Sequence, residues 1–252
     1  MLQISIKAEE IFHLGGFTVT NSLLFAFLIL IFLVIMGFVL RRKLSLVPKG
    51  FQNLIEMVIE AGLDLMDSVL GSRKRSEEYF PLVFTIFLFV LFSNWLGLVP
   101  GVGSVVLNQA GGGTVPLLRS PSSDLNFTIA LALIAVTFVN AIGVSVVGIK
   151  SRVSVFLNFE SPVTFFTGIL ELISEFAKII SFSFRLFGNV FGGEVLLAIL
   201  AFLVPYLAPA PFMILELFFG FIQAFIFAML TLIFIVTAIS HEEEAHVVHQ
   251  EA

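Results

Sequence analysis

The sequence predicts an all-α integral membrane protein, with about five membrane-embedded helices and one amphipathic surface helix. The last two spans are expected to form a long, strongly tilted helical hairpin. Three observations carry this expectation. Hydrophobic residues make up 58% of the 252 and charged residues only 12%, too little polar surface to clothe a soluble domain of that size. The apolar residues gather into stretches that reach the roughly 20 residues a membrane helix needs. The last two stretches exceed that length well beyond what an upright helix accommodates.

The first span runs over residues 17–40 and ends on Arg41, Arg42 and Lys43. It is too long for a signal peptide and lacks a small-residue cleavage site, so it reads as a retained helix. Residues 50–72 differ: Gln52, Glu56, Glu60, Asp64 and Asp67 recur at spacings of three and four, the pattern of a helix lying on the membrane surface or against a partner. A second span is expected over 79–100. Residues 101–124, rich in Gly, Ser and Pro, read as a loop. A third span over 125–149 closes on Lys150 and Arg152. Two apolar stretches follow, 162–204 and 212–240, separated by PYLAPAP. The first is roughly 43 residues, on the order of 64 Å as a helix against a hydrocarbon core of about 30 Å, so it must tilt strongly or break.

Composition narrows the function classes. Phe numbers 31 against one Trp and two Tyr, which suits lipid contact and helix packing more than an interfacial belt. Without cysteine, disulfides and thiolate metal sites are excluded. The net charge of −5 owes much to the tail HEEEAHVVHQEA and points to no nucleic-acid partner. No phosphate-binding loop or nucleophile constellation is present, so the chain by itself is not read as an enzyme. With five crossings, Arg41, Arg42, Lys43, Lys49, Arg73, Lys74, Arg75, Lys150 and Arg152 fall on one side, and Lys7 and Arg119 on the other. That asymmetry predicts the N-terminus outside and the C-terminus inside.

The two remaining basic residues, Lys178 and Arg185, lie within the fourth stretch. At 100° per residue, Glu171, Glu175, Lys178, Arg185 and Asn189 share one helix face about 80° wide. Charge at membrane depth is costly, so that face must meet protein or water. Lys178 stands one turn from Glu175, an ordinary pairing distance. Arg185 has no acidic residue three or four positions away, so its partner must come from another helix or another chain. Glu194 lies about 180° around the helix from it and follows Gly192 and Gly193, which permit close helix approach or a local break. Glu216 and Gln223, seven apart, share a face of the last span. If Glu194 and Glu216 converge, their titrations couple and they can share a proton. Two Glu without a nearby His make a poor metal site, and neither metal nor other cofactor is expected.

RLFGN at 185–189, then Gly193-Glu194 and the downstream IQAFIFAMLTLIF, resemble subunit a of F-type ATP synthases. So do VTNSLL at 19–24, NWLGLVPG at 94–101 and SPSSDLNFTIALAL at 120–133. The resemblance spans nearly the whole chain in order. It implies a stator subunit providing two offset half-channels to a rotating ring of c subunits, assembled with the b-subunit peripheral stalk and other synthase subunits in a bacterial plasma membrane. Arg185 matches the essential arginine that faces the ring carboxylate. Asn189 and Gln223 match positions that organise the same site, Glu194 and Glu216 match outer-channel positions, Glu171 an acidic position near the inner exit, and Asp124 one near the outer mouth. Many members of that family carry a histidine and a glutamate at the two outer positions. Here both are Glu, which rules out a histidine relay there. A different class of reading, a secondary transporter with an arginine substrate site, would call for paired repeats with broken helices, and no repeat is found.

Overall fold

The computed structural model describes residues 7–14, 16–42, 45, 50–108, 114–149, 156, 161–204 and 209–250, with backbone only at 14, 17, 147 and 240–250. Lys43, Lys49, Lys150 and Arg152 of the charge asymmetry lie outside the described residues, as does most of the PYLAPAP link. Six long helices dominate: α1 Asn21–Arg42, α2 Phe51–Leu70, α3 Arg73–Gly97, α4 Leu125–Val147, α5 Pro162–Leu203 and α6 Pro209–Gln250. Five of them, all but α2, are long and apolar enough to cross a membrane.

The element bounds differ from the sequence expectation where backbone hydrogen bonding outcompetes hydropathy. The first span begins at Asn21, because Phe17–Thr20 (β2) pairs antiparallel with Glu10–Leu14 (β1). α3 begins at Arg73 rather than 79, taking the three basic residues into its first turn. The loop before α4 contains short strands β3 Pro100–Gly103, β4 Val106–Asn108 and β5 Thr114–Pro116, the last two paired, and a 3-10 turn at Pro121–Ser123. α6 continues past residue 240 to Gln250. Both α5 and α6 are unbroken over 42 residues, about 63 Å each. α5 is apolar enough to sit in a membrane over its whole length and α6 as far as Ile239, so α5 exceeds the hydrocarbon thickness of about 30 Å twofold and calls for strong tilt. Gly192 and Gly193 do not interrupt α5.

Helix starts and stops follow local chemistry. Asp124 caps α4 by accepting the Asn126 N–H at 3.1 Å. α5 opens with a reciprocal Ser161/Thr164 capping box and Pro162 in its first turn. α2 stops at Gly71, whose φ of 67° provides the left-handed cap while its N–H bonds the Asp67 carbonyl at 2.9 Å. Arg73 then reaches back across that corner to Glu60 (2.8 Å), Asp67 (3.0 Å) and Asp64 (3.2 Å), and forward to Glu77 (3.4 Å).

Two buried clusters hold the bundle. One joins α2, α3, α4 and α6 through Met66, Tyr79, Val83, Val139, Leu232 and Ile235. The other joins α3, α4, α5 and α6 through Val90, Ala132, Ala135, Phe182, Leu186 and Phe227. Alanines at the crossings let the backbones approach, the usual device where lipid offers no hydrophobic drive between helices. Outward, α1 and α5 expose rows of Phe, Ile and Leu, including Phe202 at 78% and Phe27 at 62%, a surface suited to hydrocarbon.

One end of the bundle is stitched by polar groups from distant parts of the chain. Ser22 Oγ donates to Asp124 Oδ2 at 2.7 Å, and Asn21 Nδ2 to the Pro116 carbonyl at 3.2 Å. Arg119 Nη1 donates to the Lys7 carbonyl at 3.2 Å. The two basic residues expected to share a side thus meet.

Candidate functional site

α5 carries the site, and its faces divide the work. Arg185 is exposed on the outer face. Its Nη2 donates to Ser181 Oγ, one turn back on the same helix, at 3.2 Å. Among the described residues no carboxylate lies within ion-pairing distance of it, and no hydrogen bond joins it to Asn189 or Gln223. The surface around the guanidinium is stripped of bulk. Ser181, Gly188 and Gly192 are exposed beside it, all within about 60° of its direction on the helical wheel. At Gly188 and Gly192 an added Cβ would meet open space. A neighbouring helix can therefore approach the Arg185 face closely. Asn189 is half-buried on this side. Gln223 sits inside, 6% exposed, with Nε2 unpartnered.

The opposite face of α5 meets α6 and the end of α3. Glu194 and Glu216 border one small cavity, of about 10 Å3, together with Asn94, Gly97, Leu98, Ser120, Val190 and Gly220. Gly193 makes the convergence possible, because the Glu216 carboxylate occupies the space a Cβ there would fill. Arg119, reaching in from the loop, brings Nε to 4.0 Å from Glu194 Oε2 with its side chain only 12% exposed. The guanidinium is fixed by Ser123 Oγ at 3.2 Å and the Ser123 carbonyl at 3.3 Å.

Toward the start of α5 a larger cavity of about 260 Å3 is lined by Glu171, Ser174, Glu175 and Lys178, with Val139 of α4 and Phe234 and Thr237 of α6. Lys178 Nζ donates to Glu175 Oε1 at 2.7 Å, lies 3.8 Å from Glu171 Oε1 and sits 5.0 Å from the Phe234 ring centre. Asn140 Nδ2 donates to the second Glu175 oxygen at 3.1 Å. The expected Glu175–Lys178 pair is present. The two cavities share no lining residue. Glu171 and Glu194 are on the order of 34 Å apart along the helix, with Arg185 between them. Phe182, Leu186 and Phe227 pack in the intervening core, the two rings 4.6 Å apart.

Asp124, matched by resemblance to the outer mouth, is 4% exposed and has both oxygens engaged, by Ser22 and by the Asn126 N–H. Its geometry is that of a cap and tie. Sequence reasoning missed Asn94, Arg119 and Ser120 as neighbours of the carboxylates. An asparagine beside the sole tryptophan near the end of a span is the available signal; Arg119 enters the sequence reading only through the charge asymmetry. Among the described residues, no cluster of three or more His, Asp or Glu has the arrangement to hold a metal ion.

The amino-acid sequence has known relatives. The sequence profile described as ATP synthase A chain matches residues 22–236. The chain is 38% identical over 240 residues to "ATP synthase subunit a" of Syntrophobacter fumaroxidans, covering 94% of this chain and 91% of that protein. It is 34% identical to the subunit a of Moorella thermoacetica, over 91% of this chain and 95% of the relative. A subunit a of Campylobacter jejuni is 34% identical over 96% and 95% of the two chains. With five helices able to cross a membrane and a profile match over most of its length, the chain belongs to the ATP synthase A chain family, as a multi-pass, non-catalytic membrane subunit.

Proposed function

We propose that the chain is the proton-translocating stator of an F-type ATP synthase and that Arg185 couples proton flow to rotation of a c-subunit ring. The observation that carries this reading is a solitary arginine on an exposed helix face cleared of side-chain bulk, with separate polar cavities toward either end of the same helix. Arginine keeps its proton at physiological pH and offers a planar fork to a carboxylate. A ring carboxylate beside it is favoured in the ionised form, so its proton leaves before the site passes. Moving on into lipid would bury a bare charge, so the site must first take a proton from the other side. Protons then cross only as the ring turns.

In this reading Glu194 and Glu216 serve the outer half-channel and Glu171 the inner one. Asn189 and Gln223 organise the region around Arg185, and Asp124 shapes the outer mouth. The b-subunit stalk and the remaining synthase subunits are partners. The membrane is a bacterial plasma membrane, with the N-terminus outside and the C-terminus in the cytoplasm, as the basic residues favour. The transporter alternative needs a broken helix at its substrate site, whereas α5 and α6 are continuous.

The test is Arg185→Ala in the assembled synthase. ATP-driven proton pumping into membrane vesicles and ATP synthesis should both be abolished. Normal pumping by the variant would sink the assignment.

A further inference from the structure

We propose that Asn94 seats a single water molecule between Glu194 and Glu216, making this asparagine a positioning residue for proton hand-over between the two carboxylates. The inference rests on the outer half-channel reading and adds to it a specific water site and the residue that orders it.

Asn94 is 3% exposed near the end of α3. Its Nδ2 donates to the Gly220 carbonyl of α6 at 3.0 Å, and the adjacent Trp95 Nε1 donates to the Leu217 carbonyl at 3.0 Å. A carbonyl only accepts, so the bond to Gly220 fixes which end of the amide is which. The remaining end, Oδ1, is buried and has no protein partner. An unmatched amide oxygen in a membrane-embedded core is costly, and ordered water is the usual remedy. The cavity that Asn94 borders with Glu194, Glu216 and Ser120 is about 10 Å3, close to the space one water requires. Ser120 Oγ gives its hydrogen to the Ser93 carbonyl at 3.3 Å and so can still accept. Ser120 packs closely on Gly97 in the same wall, where an added Cβ would come within 2.7 Å of Ser120 Cβ.

A water there has acceptors on several sides. Asn94 Oδ1 takes one of its hydrogens and never takes up a proton itself. The other hydrogen is left to point at a carboxylate. When one glutamic acid gives its O–H proton to the water oxygen, the water passes its free hydrogen to the other carboxylate. One O–H bond forms and one breaks at the water, and one charge changes places between the two Glu. Without the Oδ1 anchor the water can turn both hydrogens away from the acceptor that needs one.

The comparison that isolates this role is Asn94→Thr against Asn94→Val in the complete synthase reconstituted into liposomes. The two variants match in shape and differ only by a hydroxyl that can hold the water. Both should assemble, and the valine variant should pump protons slower than the threonine variant by on the order of tenfold, the loss expected of one hydrogen bond. Equal rates in the two would overturn the proposal. If the β-branched pair does not assemble, Asn94→Ser against Asn94→Ala makes the same comparison. Glu194→Gln and Glu216→Gln, measured in the same liposomes, separate the two levels. Slowed carboxylate variants with an equal threonine–valine pair defeat the water site alone. Wild-type flux in both carboxylate variants and in the double variant defeats the half-channel reading beneath it.

Discussion

Gly193 shows how a single missing side chain shapes the site. Its neighbour Glu194 reaches the small cavity from α5, and the bare Cα lets the Glu216 carboxylate lie directly on the helix. In Gly193→Ala the added methyl must displace something, and what it meets is the free end of a flexible side chain rather than backbone. Glu216 will rotate away. The expected stability cost is therefore below the roughly 1–3 kcal/mol of true core overpacking, seen as a shift of only a few degrees in the thermal unfolding of the purified complex. Proton flux should fall toward the level of Glu216→Gln, because the carboxylate has left the cavity. A large loss of thermal stability with undiminished flux would show that Glu216 matters to packing and not to the path. The sequence alone showed that the glycine pair allows close approach. It could not show which residue approaches, since Gly193 and Glu216 lie on different helices and their pairing is set by where α5 crosses α6.

Among the elements, the α2–α3 corner shows what the spacing of polar residues carries and what it leaves out. Polar residues at three- and four-residue spacing predicted an amphipathic helix over 50–72, and α2 occupies Phe51–Leu70. The spacing places that helix on the membrane surface or against a partner, and within the fold Arg73 gathers three of its carboxylates and a fourth from α3. Nothing in the spacing reveals that, because it depends on the left-handed turn at Gly71 folding α3 back along α2. The Ser76 hydroxyl first, and then the Arg73 guanidinium, hold the Asp67 carboxyl below its ordinary value of 3.8. A carboxyl lowered on folding contributes stability that is present above its unfolded value and is lost as pH falls through the folded one. The corner should accordingly resist protease at neutral pH and loosen as pH falls below 3.8. Arg73→Ala should increase cleavage in α2 at neutral pH, because four carboxylates are left facing one another, and should flatten the acid dependence. Cleavage profiles that coincide for the variant and the parent protein across that range would rule out the Arg73 clamp as the source of the corner's stability.

At the scale of the whole molecule, hydropathy made the number and order of the spans legible, but not the polar seam that ties one end of the bundle together. That seam joins Ser22 to Asp124, Asn21 to Pro116 and Arg119 to Lys7, pairs separated by some hundred residues, whose partners only the assembled bundle identifies. It also places Arg119 and Lys7 together, on the side opposite to Arg73, Lys74 and Arg75 at the far end of α3. A chain whose basic residues are distributed so unequally inserts with the richer side in the cytoplasm. The seam and the cavity of Glu194 and Glu216 should then face the outside, and the Glu171–Lys178 cavity the inside. Because the protein contains no cysteine, single cysteines can report this directly. Ser104, exposed in the loop between α3 and α4, when changed to Cys should react with a membrane-impermeant maleimide added to intact cells. Lys74→Cys, exposed in the first turn of α3, should react only after the membrane is opened, since removing one of nine basic residues leaves the asymmetry intact. Labelling of Lys74→Cys but not Ser104→Cys in intact cells would invert the orientation and exchange the roles of the two cavities, while leaving Arg185 between them.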